Sequence, residues 1–154
     1  MIELTLPYPI SANRYWKTRV MNVKGHMQAC TYVSKEAKDF KEQVGWLARA
    51  AGVRAPLLGR VAIAYTLHPH RPQDYQRRMK RDPSGWEDTV QCIDLDNAQK
   101  VLLDALKGIV MEDDKWVRSI TAQRGEPVEG GKLVVRISLT APVVVAQGAL
   151  ELCP

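Results

Sequence analysis

Apolar residues recur at helical spacing in two stretches of this chain, while its other regular segments alternate apolar and polar residues with a period of two. Ala37, Phe40, Val44, Leu47, Ala48 and Ala51 mark a first helix over about 35 to 51, with Ser34 as N-cap and Gly52 just past its end. Ala98, Val101, Leu102, Ala105 and Leu106 mark a second, ended by Gly108. Period-two runs predict strands over 2 to 6, 61 to 67, 115 to 124 and 132 to 140, the last two joined across Pro127 and Gly130-Gly131 as a hairpin. A polar, aromatic loop follows the first strand. Residues 68 to 91, with Pro69, Pro72, Pro83, Gly85 and many charges, read as a long surface loop. A few elements of both kinds predict an α+β domain, two main helices packed on one face of a small mixed sheet in a two-layer sandwich.

At 154 residues the chain has the length of one domain, which we expect to span 1 to 140 and to be followed by a C-terminal tail, 141 to 154. Its 45% hydrophobic and 25% charged residues are those of a soluble globular protein. Met1 to Leu6 carry an acid and no basic flank before a long apolar run, so neither a secretory leader nor a spanning helix is expected, and a cytoplasmic location follows. Cys30, Cys92 and Cys153 are odd in number and scattered, with no C-x-x-C pair, which argues against a disulfide framework and a zinc knuckle. His68 and His70 have neither helical spacing nor a nearby cysteine, which argues against zinc there too. The net charge of +5 favours a polyanionic partner. Arg77, Arg78, Lys80 and Arg81 cluster, and Arg14, Lys17 and Arg19 sit among Tyr8, Tyr15 and Trp16; such mixtures suit phosphates and exposed bases, so we expect these seven cations to contact DNA.

The stretch Asp94-Leu95-Asp96-Asn97-Ala98-Gln99-Lys100 stands at the start of the second helix. In an extended segment Asp94 and Asp96 point the same way, and Lys100 lies one helical turn beyond Asp96. Two carboxylates and an ammonium can therefore converge: the carboxylates suit Mg²⁺, which takes hard oxygen ligands alongside substrate phosphate oxygens, and the ammonium suits the oxyanion that develops beside it. A further acid would come from Glu112-Asp113-Asp114, if the strand that follows returns alongside the one feeding Asp94. The same residues have a purely structural reading. Asp96 with Gln99 is a near capping box, and Lys100 with Asp104 is an i,i+4 pair.

Leu6-Pro7-Tyr8-Pro9, Asn13-Arg14-Tyr15, Val33-Ser34, then Asp94-Leu95-Asp96-Asn97 with Lys100 and Asp104-Ala105-Leu106, then Asp113-Asp114 and Val117, resemble RusA-type Holliday-junction resolvases in order and spacing. The resemblance runs from about residue 2 to 140. It implies a homodimeric, Mg²⁺-dependent endodeoxyribonuclease that places paired nicks in four-way junctions during recombination and repair. It also implies Asp94, Asp96 and Asp114 as metal-binding acids and Lys100 as catalytic lysine. The chain departs from the family in three places. Val90-Gln91-Cys92-Ile93 precede Asp94 where members often carry an arginine-rich run, the loop from Arg71 to Gln91 is long, and one residue fewer separates the second helix from Asp113-Asp114, which leaves Asp113 open as the third acid.

Overall fold

Strand β4 (Val61–His68) forms the spine of the sheet in the computed structural model, which describes residues 1–141. Its odd positions Val61, Ile63, Tyr65 and Leu67 are buried, while Ala64 between them is exposed, as the period-two pattern requires. Strand β6 (Lys132–Leu139) pairs antiparallel with β4 on one side and with β1 (Ile2–Pro7) on its own far side. Strand β5 (Val117–Arg124) pairs parallel with β4 on the other side, giving the order β1-β6-β4-β5. Leu4, Leu6, Leu133, Val135 and Ile137 extend the same buried face. The opposite face is open and polar, with Arg136 paired to Glu3 at 2.9 Å and Gln123 donating to Thr66.

Two helices cover the buried face. Helix α2 (Lys35–Ala50) contributes Ala37, Phe40, Val44 and Ala48 to the core, and α4 (Leu95–Leu106) contributes Ala98, Val101, Leu102, Ala105 and Leu106. The α+β two-layer expectation holds. The Ser34 hydroxyl accepts the Ala37 amide at 3.2 Å from a site only 1% exposed, so it caps α2 where water cannot substitute. Ser34→Ala is expected to cost about 1 kcal/mol, read as a fall of roughly 2–4 °C in the thermal midpoint.

Three expectations are corrected. Strands β5 and β6 do not form a hairpin. The link between them crosses the end of β4, where Gly125 donates to Leu67 and Val128 to Pro69, so β6 enters on the far side of β4. A Cβ at Gly125 would meet the His68 ring at 2.5 Å, which is why the crossing passes through a glycine. The expected loop after the first strand instead folds as a short helix α1 (Ala12–Tyr15) and an antiparallel hairpin of β2 (Trp16–Val23) and β3 (His26–Val33). The expected loop from 68 to 91 holds helix α3 (Tyr75–Arg81) and a 3-10 turn over Trp86–Thr89, with Trp86 buried. Tyr75 and Trp86 pack at 6.4 Å between ring centroids. Of the expected tail only Ala141 is described; 142–154, with Cys153, lies outside the described residues.

Candidate functional site

Helix α4 lies between two parallel strands and so runs back against them, its first turn beside the end of β4 and its last beside the beginning. Both ends are pinned. At the first, the Tyr8 hydroxyl accepts the Ile93 amide at 2.9 Å, and Tyr8 follows Pro7, which is level with Lys132 and hence with His68. The Tyr65 hydroxyl donates to the Leu95 carbonyl at 2.8 Å. Burial raises the pKa of both tyrosines, and for Tyr65 the nearby Asp96 carboxylate adds to the effect. At the other end, Leu57 of the approach to β4 donates to Val110 at 2.8 Å.

Asp94 occupies the N-cap position of α4 in extended conformation, yet its side chain makes no capping hydrogen bond. Asp96 lies in the first turn, and Lys100 stands one turn on, a rise of about 6 Å. All three are exposed, and among the described residues none joins a side-chain hydrogen bond or ion pair. The positive end of the helix macrodipole favours negative charge at this place. Beside it opens a cleft of about 600 Å³ lined by Tyr8, His70, Arg78, Gln91 and Cys92 among others, and it ends at Ile93.

The structure does not bring Asp114 to this group within one chain. Val117 is level with Val61, so the acids leading into β5 stand at the beginning of β4. The twelve residues of α4 separate the two places by about 18 Å. There Lys107 lies 3.1 Å from Asp113 and 3.8 Å from Asp114. The Lys115 amide, then Asp114 and Lys107, hold the Asp113 carboxyl down at about 2, while its contact with Asp113 raises the Lys107 pKa. Asp104, deeper along α4, is raised by burial; Lys107 opposes the shift and Asp114 adds to it. Among the described residues no three His, Cys, Asp or Glu side chains are grouped to hold a metal ion. Two exposed, unengaged carboxylates at Asp94 and Asp96 nonetheless fit Mg²⁺, which binds through one or two carboxylates and keeps waters and substrate phosphates for its remaining positions.

The expected cations divide. Arg77, Lys80 and Arg81 are exposed on α3, but Arg78 is committed to the fold through Asp74 at 2.9 Å and the Thr89 carbonyl. Arg14 pairs with Glu36 at 3.0 Å. Lys17 and Arg19 stand on the β2–β3 hairpin, Arg19 over the Tyr32 ring. No described helix is long and apolar enough to cross a membrane. Sequence reasoning missed that Tyr8 and Tyr65 set α4 in place; Tyr8 stood out only in the Leu6-Pro7-Tyr8-Pro9 motif and beside the expected cations, and Tyr65 only by its period-two strand position.

The family model described as Endodeoxyribonuclease RusA matches residues 7–139. No curated protein matches the chain.

Proposed function

The chain belongs to the RusA endodeoxyribonuclease family, and we propose that it is a Mg²⁺-dependent homodimer that resolves four-way DNA junctions by paired, symmetry-related nicks. The observation that carries this reading is that Asp94, at a capping position, does not cap. A helix start that spends neither Asp94 nor Asp96 on its own backbone leaves two hard anionic oxygen donors in solvent, next to an open cleft.

In this mechanism Asp94 and Asp96 would hold the ion, which when bound would supply Lewis acidity and a water of lowered pKa. Lys100, a turn away, places its ammonium against the phosphate and offsets the charge that develops on its oxygens. Tyr8 and Tyr65 fix the turn that carries the carboxylates, so little reorganisation is left for the moment of reaction. Arg77, Lys80, Arg81, Lys17 and Arg19 bind phosphates without reading sequence.

A two-fold dimer supplies two identical sites to the two symmetry-related strands of a junction. It also accounts for Asp114. Two α4 helices laid antiparallel across the axis put Asp114 of one protomer beside Asp94 and Asp96 of the other, so each site draws acids from both chains.

Incubation with a synthetic four-way junction and a matched linear duplex, in Mg²⁺ or EDTA, tests the reading on a denaturing gel. Paired Mg²⁺-dependent nicks confined to the junction are expected. Equal cutting of flaps or linear duplex would replace it with a general branched-DNA nuclease, and tight binding without cutting would replace it with a DNA-structure-binding protein.

A further inference from the structure

The β2–β3 hairpin stands away from the core. All eight residues of β2 and seven of the eight in β3 are exposed, along a blade about 27 Å long. A two-stranded ribbon in water is marginal on its own, and among the described residues this one is tied down at its root. Ser34 donates to the Tyr15 carbonyl at 2.8 Å, closing the two strands together. Tyr15 is fully buried, and its hydroxyl bonds to Asp104 of α4. The blade is thus fixed to α4 at Asp104, in the helix's last turn, about 12 Å along the axis from Asp96.

Its register sorts its charge. Directly opposite residues share a face, so Trp16, Thr18, Val20 and Asn22 look the same way as Ala29 and Met27, and that face holds no ionisable group. Lys17, Arg19 and His26 look the other way with Tyr32. No Asp or Glu occurs between Glu3 and Glu36. At the tip Lys24 and Gly25 both have positive φ, 52° and 83°, in a two-residue turn. Asn or Gly takes the first of those positions with less strain than lysine, so this tip keeps a cation where the backbone does not favour it.

We propose that the hairpin is a wedge that reads branching: its tip enters the open centre of a four-way junction, with the uncharged face against unpaired or unstacked base faces and the cationic face along a strand's phosphates. The proposal rests on the junction reading above and adds the element that separates a junction from a duplex. Apolar side chains pack on base faces where a charge would be stranded without water, and the cationic face is complementary to phosphate alone. In a duplex the same entry must first unstack paired bases, whereas at a branch point the stack is already interrupted.

The test uses the full chain in EDTA with a junction carrying 2-aminopurine at its centre, and the same label in a linear duplex. Wild type is expected to raise the junction signal severalfold and leave the duplex signal unchanged. Val20→Ser with Met27→Ser, both exposed positions, is expected to remove that rise and to reduce the preference for junction over duplex by about tenfold. Duplex affinity should stay as in wild type. An undiminished signal in the double variant, or no signal from a wild type that still binds and cuts junctions, overturns the wedge and leaves the nuclease reading standing. Dissociation of the double variant into monomers during sedimentation also overturns it, by making the uncharged face a contact between two copies. A wild type with no preference for the junction overturns both.

Discussion

With asparagine in place of Asp96, the protein is expected to bind a four-way junction as before and to cut it on the order of 10²- to 10³-fold more slowly in Mg²⁺. The substitution is chosen because the two readings of Asp96 diverge on it completely. Asp96 stands in the first turn, where asparagine gives up only a charge favoured by the helix macrodipole, about 0.3–1 kcal/mol at an exposed position, so a residue there only to begin α4 would change stability by no more than that and cutting not at all. A metal ligand, by contrast, loses its anionic oxygen and keeps its shape. Asp96 is exposed and bonded to nothing else among the described residues, so the unfolding free energy should stay within about 1 kcal/mol of wild type. Single-turnover cutting, junction affinity in EDTA and a thermal melt, taken on one preparation, separate these outcomes. Cutting at the wild-type rate would remove Asp96 from the site.

The two helices and the strand faces were readable in the sequence because they have an inside and an outside. Phe40 and Val44, or Ile63 and Tyr65, repeat at the period of their element because one side of it is buried. The β2–β3 hairpin was not readable for the same reason. Both of its faces meet solvent, so nothing forces an apolar alternation, and Val20 and Met27 look like stray hydrophobics in a polar loop. The pairing of β5 failed differently. Its own pattern predicts a strand but says nothing about which strand lies beside it, and the short link over Gly130-Gly131 suggested the sequential neighbour. The stronger signal was α4 between β4 and β5, since a helix joining two strands carries the chain back and makes the pair parallel. That one pairing decides the place of Asp114. A parallel β5 begins where β4 begins, at the far end of α4 from Asp94 and Asp96.

From that separation comes the second large expected effect, in mixtures of two inactive proteins. Asp96→Asn and Asp114→Asn, each made alone, are expected to be inactive on junctions, and a dimer with one chain of each, isolated through two different tags, is expected to regain cutting. Acids shared across the proposed dimer would dictate this outcome. In the mixed dimer one site receives both substitutions, while the other receives wild-type Asp96 from the second chain and wild-type Asp114 from the first, so one of two sites is intact. Such a dimer should nick one strand and leave the junction unresolved, and product on a denaturing gel should appear without linear duplex on a native one. Acids acting within a single chain give the opposite result, because then each site of the mixed dimer lacks one ligand and no nick forms. Full activity of Asp114→Asn alone would instead confine Asp114 to its contact with Lys107, seen at 3.8 Å, and leave Asp94 and Asp96 to hold the ion with DNA phosphates and water.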